Sequence, residues 1–163
     1  MTLVFEQGSG YVYQGSTVIA EGWAGRYAGK NNPALQGAST IGPLPQGNYT
    51  IGDWQANHGK LGPMVAPLLP DPANEMFGRF GFYIHGPDMD PVGYGKESEG
   101  CIVLPHADRQ KVKDTGETSL QVVASYNVPS VENESQEAQV DPPDPNAPAA
   151  PTEEVPPPDP NAA

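Results

Sequence analysis

The chain carries one cysteine and three histidines in 163 residues, so any thiol chemistry has a single possible centre. Cys101 ends the run Ser98-Glu99-Gly100-Cys101 and immediately precedes the apolar Ile102-Val103-Leu104; His85 lies sixteen residues upstream, between the apolar Phe82-Tyr83-Ile84 and Gly86. A thiol becomes a nucleophile when a neighbouring imidazole removes its proton. Gly100 would let the backbone turn tightly, so that the amides of Gly100 and Cys101 could face a developing oxyanion, and Ser98 could orient the site by hydrogen bonding. Two other roles are open to the same residues. Cys101 could be a small buried hydrophobe and His85 a satisfied strand-end histidine. A metal set of Cys101 and His106 with His85, Asp88 or Asp90 departs from the usual zinc spacings, and no metal or other cofactor is expected.

These residues need elements to hold them. Twenty prolines and nineteen glycines make long helices improbable and favour short strands between frequent turns. Thr2 to Glu6, Tyr11 to Gln14 and Thr17 to Glu21 are rich in β-branched and aromatic residues, and Gly-Ser turns at hairpin spacing separate them. Strands are also expected at Gly47 to Gly52, Phe80 to His85, Cys101 to Leu104 and Ser119 to Tyr126. Trp23 to Pro45 reads as an ordered loop, and so does Asn57 to Asn74, which holds four prolines. Only His106 to Thr115 reads as a helix. The fold class expected is mainly β, with one short helix.

Composition divides the chain at residue 128. From Pro129 to Ala163 there are ten prolines and eight acidic residues, with no Lys, Arg or aromatic residue. Such a segment cannot bury a core, and it is expected to be a disordered Pro-rich acidic tail following a folded body at 1–128. Within it Pro142-Pro143-Asp144-Pro145-Asn146-Ala147 recurs as Pro157-Pro158-Asp159-Pro160-Asn161-Ala162, a pattern suited to polyproline II or coil. The net charge of −12 falls mostly on this tail, leaving the body mildly acidic. Nucleic acid is therefore a poor partner, because phosphate binding needs a Lys/Arg footprint. No stretch reaches the length of a membrane span, and residues 1–20 lack the basic start and continuous apolar run of a Sec signal peptide. One cysteine also excludes an internal disulfide.

His85-Gly86 followed by Ser98-Glu99-Gly100-Cys101-Ile102 resembles the His-Gly and Ser/Thr-x-Gly-Cys signature of YkuD-type L,D-transpeptidases. Further segments resemble the branch of type VI secretion L,D-transpeptidase effectors: Gly29-Lys30-Asn31-Asn32-Pro33, Ile41-Gly42-Pro43-Leu44-Pro45-Gln46-Gly47-Asn48-Tyr49-Thr50-Ile51, and Gly78-Arg79-Phe80 through Gly86. The likeness spans roughly residues 3 to 126. It implies a compact β-sandwich and a cysteine acyl transferase acting on peptidoglycan tetrapeptide stems, with Cys101 as nucleophile, His85 as base and Ser98 as an orienting group. Water as acceptor would give an L,D-carboxypeptidase, a D-amino acid an exchange, and a neighbouring stem a 3-3 cross-link. The family pattern has His where this chain has Glu99 and Arg where it has Val103. Arg79 and Arg109 are then the nearest basic residues for holding substrate, beside Gly86 and Glu99. The effector branch further implies delivery without a Sec signal, action in the periplasm of a target bacterium, and an immunity protein or secretion-apparatus component as partner. A non-catalytic wall-binding module, or a phage or secretion-apparatus structural module, is the alternative.

Overall fold

Gly8-Ser9-Gly10 and Gly15-Ser16 turn the chain twice in its first twenty residues, and β1 (Leu3–Glu6), β2 (Tyr11–Gln14) and β3 (Thr17–Glu21) form the antiparallel meander expected of them. The computed structural model describes residues 1–87 and 98–129. The acidic tail from residue 130 onward, with its repeat, and Asp88 and Asp90 lie outside the described residues. Met1–Val128 make up one compact unit.

Seven further strands follow: β4 (Trp23–Ala24), β5 (Gly47–Ile51), β6 (Gln55–His58), β7 (Gly62–Pro70), β8 (Phe82–His85), β9 (Ile102–Val103) and β10 (Ser119–Val123). They join one sheet in the order β3-β2-β1-β10-β5-β7-β8-β9-β4, with β6 attached to β7. Pairing is antiparallel except between β1 and β10 and between β8 and β9. The apolar side chains alternate along β5 and β10, so Tyr49 and Ile51 meet Leu120 and Val122 in a core shared with Leu3, Phe5, Ile84 and Ile102.

The sheet's edge strands, β3 and β4, are neighbours in sequence, joined by Gly22 alone. The layers on either side of the core therefore come from one sheet that curls until its edges meet. Gly22 makes this closure possible. Its amide donates to the Gly10 carbonyl at 2.9 Å, and a Cβ there would lie 1.8 Å from the Val103 carbonyl oxygen. Any side chain would push β2 and β9 apart.

Among the described residues the single α-helix, α1 (His106–Asp114), has Asp108 in its first turn and Lys111 and Lys113 in its last, charges that complement the helix dipole. Arg109 and Val112 form its buried face. The Asp108 carboxylate also accepts the Glu21 amide at 3.0 Å, which ties α1 to the end of β3.

Two stretches read as loops contain strands. Trp23-Ala24 pairs with Val103 and Ile102 before the chain enters 3-10 turns at Tyr27–Gly29 and Pro33–Leu35. The larger correction is Asn57 to Asn74, most of which is the hairpin β6–β7, with Pro63, Pro67 and Pro70 inside β7. A proline removes one donor and leaves its carbonyl available. The Pro67 carbonyl accepts the Gly52 amide at 2.8 Å, while Val65, Ala66 and Leu68 fill the core. Phe80 and Gly81 fall outside β8: Gly81 has φ +83° and Phe80 is 88% exposed.

Candidate active site

Strands β8 and β9 run parallel, in register Ile84 with Ile102 and His85 with Val103. His85 thus ends one strand and Cys101 precedes the other, at opposite ends of a two-rung ladder rather than at abutting strand ends. Continuing the register one residue before β9 sets Cys101 level with Tyr83, and so on the face of His85, because residues two apart on a strand point the same way. The diagonal between such neighbours is one that rings and long side chains bridge.

His85 is buried, and its Nδ1 lies 2.8 Å from the Gly86 carbonyl oxygen. A carbonyl only accepts, so Nδ1 carries a proton, and a neutral ring in this tautomer has its lone pair on Nε2. The main chain also holds this residue, since the His85 carbonyl accepts the Leu104 amide at 2.9 Å.

The Cys101 thiol is partly exposed at its tip but closely surrounded, with Sγ 4.0 Å from the Gly81 carbonyl oxygen. Burial pushes its pKa up to about 11; the Tyr83 main chain and the cations Arg79 and Lys60 pull against that shift, whereas Glu99 adds to it. At neutral pH the group is a thiol, and a base must take its proton as it reacts.

Gly100 sets the turn before it. Its φ of +125° lies where side chains are strained, and a Cβ would stand 2.5 Å from both Arg79 Nη2 and Phe82 Cε1. Ser98 is fully buried and braces the same turn, donating to the Cys101 carbonyl at 2.6 Å and accepting the amides of Gly100 at 3.2 Å and Gly25 at 3.0 Å. Its hydroxyl bonds main chain on both sides of the thiol's turn, so Ser98 acts as a positioning residue.

Neither arginine singled out for substrate is a solvated surface group. Arg79 is nearly buried; its Nη1 donates to the carbonyls of Gln36 and Pro43, and its Nη2 to those of Gly42 and Glu99, the last three at 2.8 to 2.9 Å. The guanidinium also lies over the Phe82 ring at 5.3 Å. Arg109 donates from Nε to the Met64 carbonyl at 2.9 Å and from Nη1 to the Leu104 carbonyl at 2.6 Å, with the guanidinium packed on Gly86. Burial lowers the pKa of both guanidinium groups, yet both stay charged, and their donors hold loops together. Glu99 is exposed and stands 3.7 Å from Arg26. Val103, at the position of the family arginine, is fully buried. His106 starts α1 and is exposed. Among the described residues no three metal-ligating side chains cluster.

Three contributors escaped the sequence: the Tyr83 main chain, Arg26, and Lys60 at the tip of the β6–β7 hairpin. The pair Gly59 and Gly62 around Lys60-Leu61 was the available turn signal for the last. No curated protein matches the chain. Among the described residues no helix is long and apolar enough to cross a membrane. Residues 18–126, well over half of the chain, match the Tlde1 domain, a segment that runs from β3 to beyond β10 and includes His85, Ser98, Gly100 and Cys101. The chain therefore belongs to the Tlde1 domain family, a family of type VI secretion effectors.

Proposed function

We propose that the protein is a cysteine-dependent acyl transferase acting on peptidoglycan tetrapeptide stems, as an L,D-carboxypeptidase, a D-amino-acid exchange L,D-transpeptidase, or both. The observation that carries this reading is the contact of His85 Nδ1 with the Gly86 carbonyl: a ring that donates there can offer Nε2 as a base, and the β8–β9 register supports its lying on the same sheet face as the Cys101 thiol. Membership of an effector family supports this reading, and the substrate class is the one that the resemblance to YkuD-type enzymes implies.

In this mechanism Nε2 takes the thiol proton as Sγ attacks the carbonyl carbon on the L-centre of the third stem residue. The Cys101 amide would receive the oxyanion; the Gly100 amide, expected to join it, is instead bonded to the Ser98 hydroxyl, so Gly100 serves by setting the turn. The bond to the terminal D-Ala nitrogen breaks, that nitrogen takes the proton from His85, and a thioester to Cys101 remains. Water or the amine of a D-amino acid then attacks the thioester, losing its proton to His85, and the thiol is restored by that proton. Trimmed or capped stems can no longer donate cross-links, an outcome that suits an effector acting in the periplasm of a target cell, with an immunity protein guarding the producer.

Mass spectrometry of muropeptides incubated with the protein tests this. Wild type should release D-Ala, Cys101→Ala should not, and His85→Ala should be slower by at least about 100-fold, as for a lost general base. Tetrapeptides left intact by the wild type would overturn the reading in favour of a binding module. In a Gram-negative host, the chain fused to a cleavable signal peptide should cause swelling or lysis that Cys101→Ala removes, and the unfused chain should be harmless.

A further inference from the structure

With Val103 buried and the guanidinium groups of Arg79 and Arg109 directed to backbone carbonyls, the region of the thiol needs another cation if it is to receive an anionic substrate group. Arg26 is paired with Glu99. Lys60 differs from all of these. It is exposed, and among the described residues no ion pair engages it.

The hairpin that carries Lys60 is held to the site. His58 Nδ1 accepts the amides of Lys60 at 3.2 Å and Leu61 at 3.1 Å, which fixes the tip, and Gly62 at φ +86° closes the three-residue turn. The His58 ring meets the Tyr83 ring edge-on, with centroids 5.2 Å apart. Continuing the β8–β9 register by one residue sets Tyr83 level with Cys101, and its main chain favours the thiolate. Lys60 thus sits on a braced turn that is one ring contact from Tyr83, the residue next to the thiol.

We propose that Lys60 is a specificity-determining residue that binds the C-terminal carboxylate of the substrate's leaving residue. This rests on the acyl-transfer reading above, in which the departing D-amino acid carries a free carboxylate one residue beyond the scissile carbonyl. A mobile ammonium suits that group, since it can follow the carboxylate as the acyl–nitrogen bond breaks. Amidated or extended stems would lack the anion and be poorer substrates.

Two measurements separate this proposal from the reading on which it rests. The first compares alkylation of Cys101 by iodoacetate, which bears a carboxylate, and by iodoacetamide, which does not. Any effect of Lys60 on thiol ionisation cancels in the ratio of the two rates. Lys60→Ala should lower that ratio about three- to tenfold at low salt, Lys60→Glu should lower it further, and Lys60→Arg should preserve it. The second measures turnover of a disaccharide tetrapeptide and of its C-terminal amide. Lys60→Ala should raise KM for the free acid about tenfold and change turnover of the amide far less. An alkylation ratio unchanged in Lys60→Ala and Lys60→Glu overturns the role of Lys60 even if tetrapeptides are processed. A lowered ratio without any tetrapeptide turnover by wild type retains Lys60 as the anion-binding residue and overturns the substrate reading instead.

Discussion

The Ser98 hydroxyl donates to the carbonyl of Cys101 at 2.6 Å while it accepts the Gly25 and Gly100 amides. One buried side chain therefore links the β4 end, the turn and the nucleophile's own main chain. Ser98→Ala should leave two amides and one carbonyl short of a partner, at a cost of about 1–3 kcal/mol for an unsatisfied buried group. Urea denaturation should show that loss, and kcat should fall more than KM rises, because the thiol stays in place but its turn loosens. A variant with wild-type stability and a defect confined to KM would mean that Ser98 meets substrate instead.

Gly100→Ala is the sharper test of the turn. The new Cβ would collide with Arg79 Nη2 and Phe82 Cε1 at a backbone φ of +125°. Strain and overpacking together should lower stability by about 2–4 kcal/mol, and oxyanion support should fail with the turn. Near-normal stability and turnover in Gly100→Ala would show that the loop relaxes freely.

How far the sequence revealed these relations depends on their range. Gly-Ser turns between β-branched runs marked β1, β2 and β3, and the alternation before His85 and after Ser119 marked β8 and β10, because local patterning dictates such elements. Strand β7 was hidden by Pro63, Pro67 and Pro70, whose cost depends on which neighbour would have received each missing N–H, a tertiary property. The site divides the same way. Cys101, His85 and Gly100 were visible as types at short spacing, whereas the partners of Arg79 lie up to 43 residues away along the chain and those of Arg109 up to 46. Nothing near either arginine in sequence distinguishes a guanidinium that gathers carbonyls from one that waits for substrate.

Arg79 supplies a test of that distinction. A substrate-holding arginine can be replaced with little effect on folding, while a guanidinium serving four carbonyls cannot. Arg79→Met should reduce stability by at least about 3 kcal/mol. Arg79→Lys should recover little of it, since an ammonium lacks the planar fork that reaches carbonyls in two directions. Thermal denaturation checks both. Unchanged melting combined with a raised KM would return Arg79 to the substrate-binding role.

The thiol's ionisation gives the last prediction. Burial raises the Cys101 pKa to about 11, with Glu99 contributing in the same direction and Tyr83, Arg79 and Lys60 opposing. A raised thiol pKa means that the thiolate fraction is small at neutral pH and grows with pH. Alkylation by iodoacetamide without substrate should therefore climb by about tenfold per pH unit from 7 to 9, levelling only near the pKa. Glu99→Gln removes a negative charge that disfavours the thiolate, so its rate at pH 8 should exceed wild type by about two- to threefold at low salt and converge with it at high salt. The 3.7 Å contact to Arg26 that this variant also weakens is solvent-exposed and should matter little to folding. Mass-spectrometric labelling rates across pH decide the matter. A rate already flat between pH 6 and 9 would mean a preformed thiolate–imidazolium pair, and His85 would then act first as a counter-ion rather than as the base that receives the proton during attack.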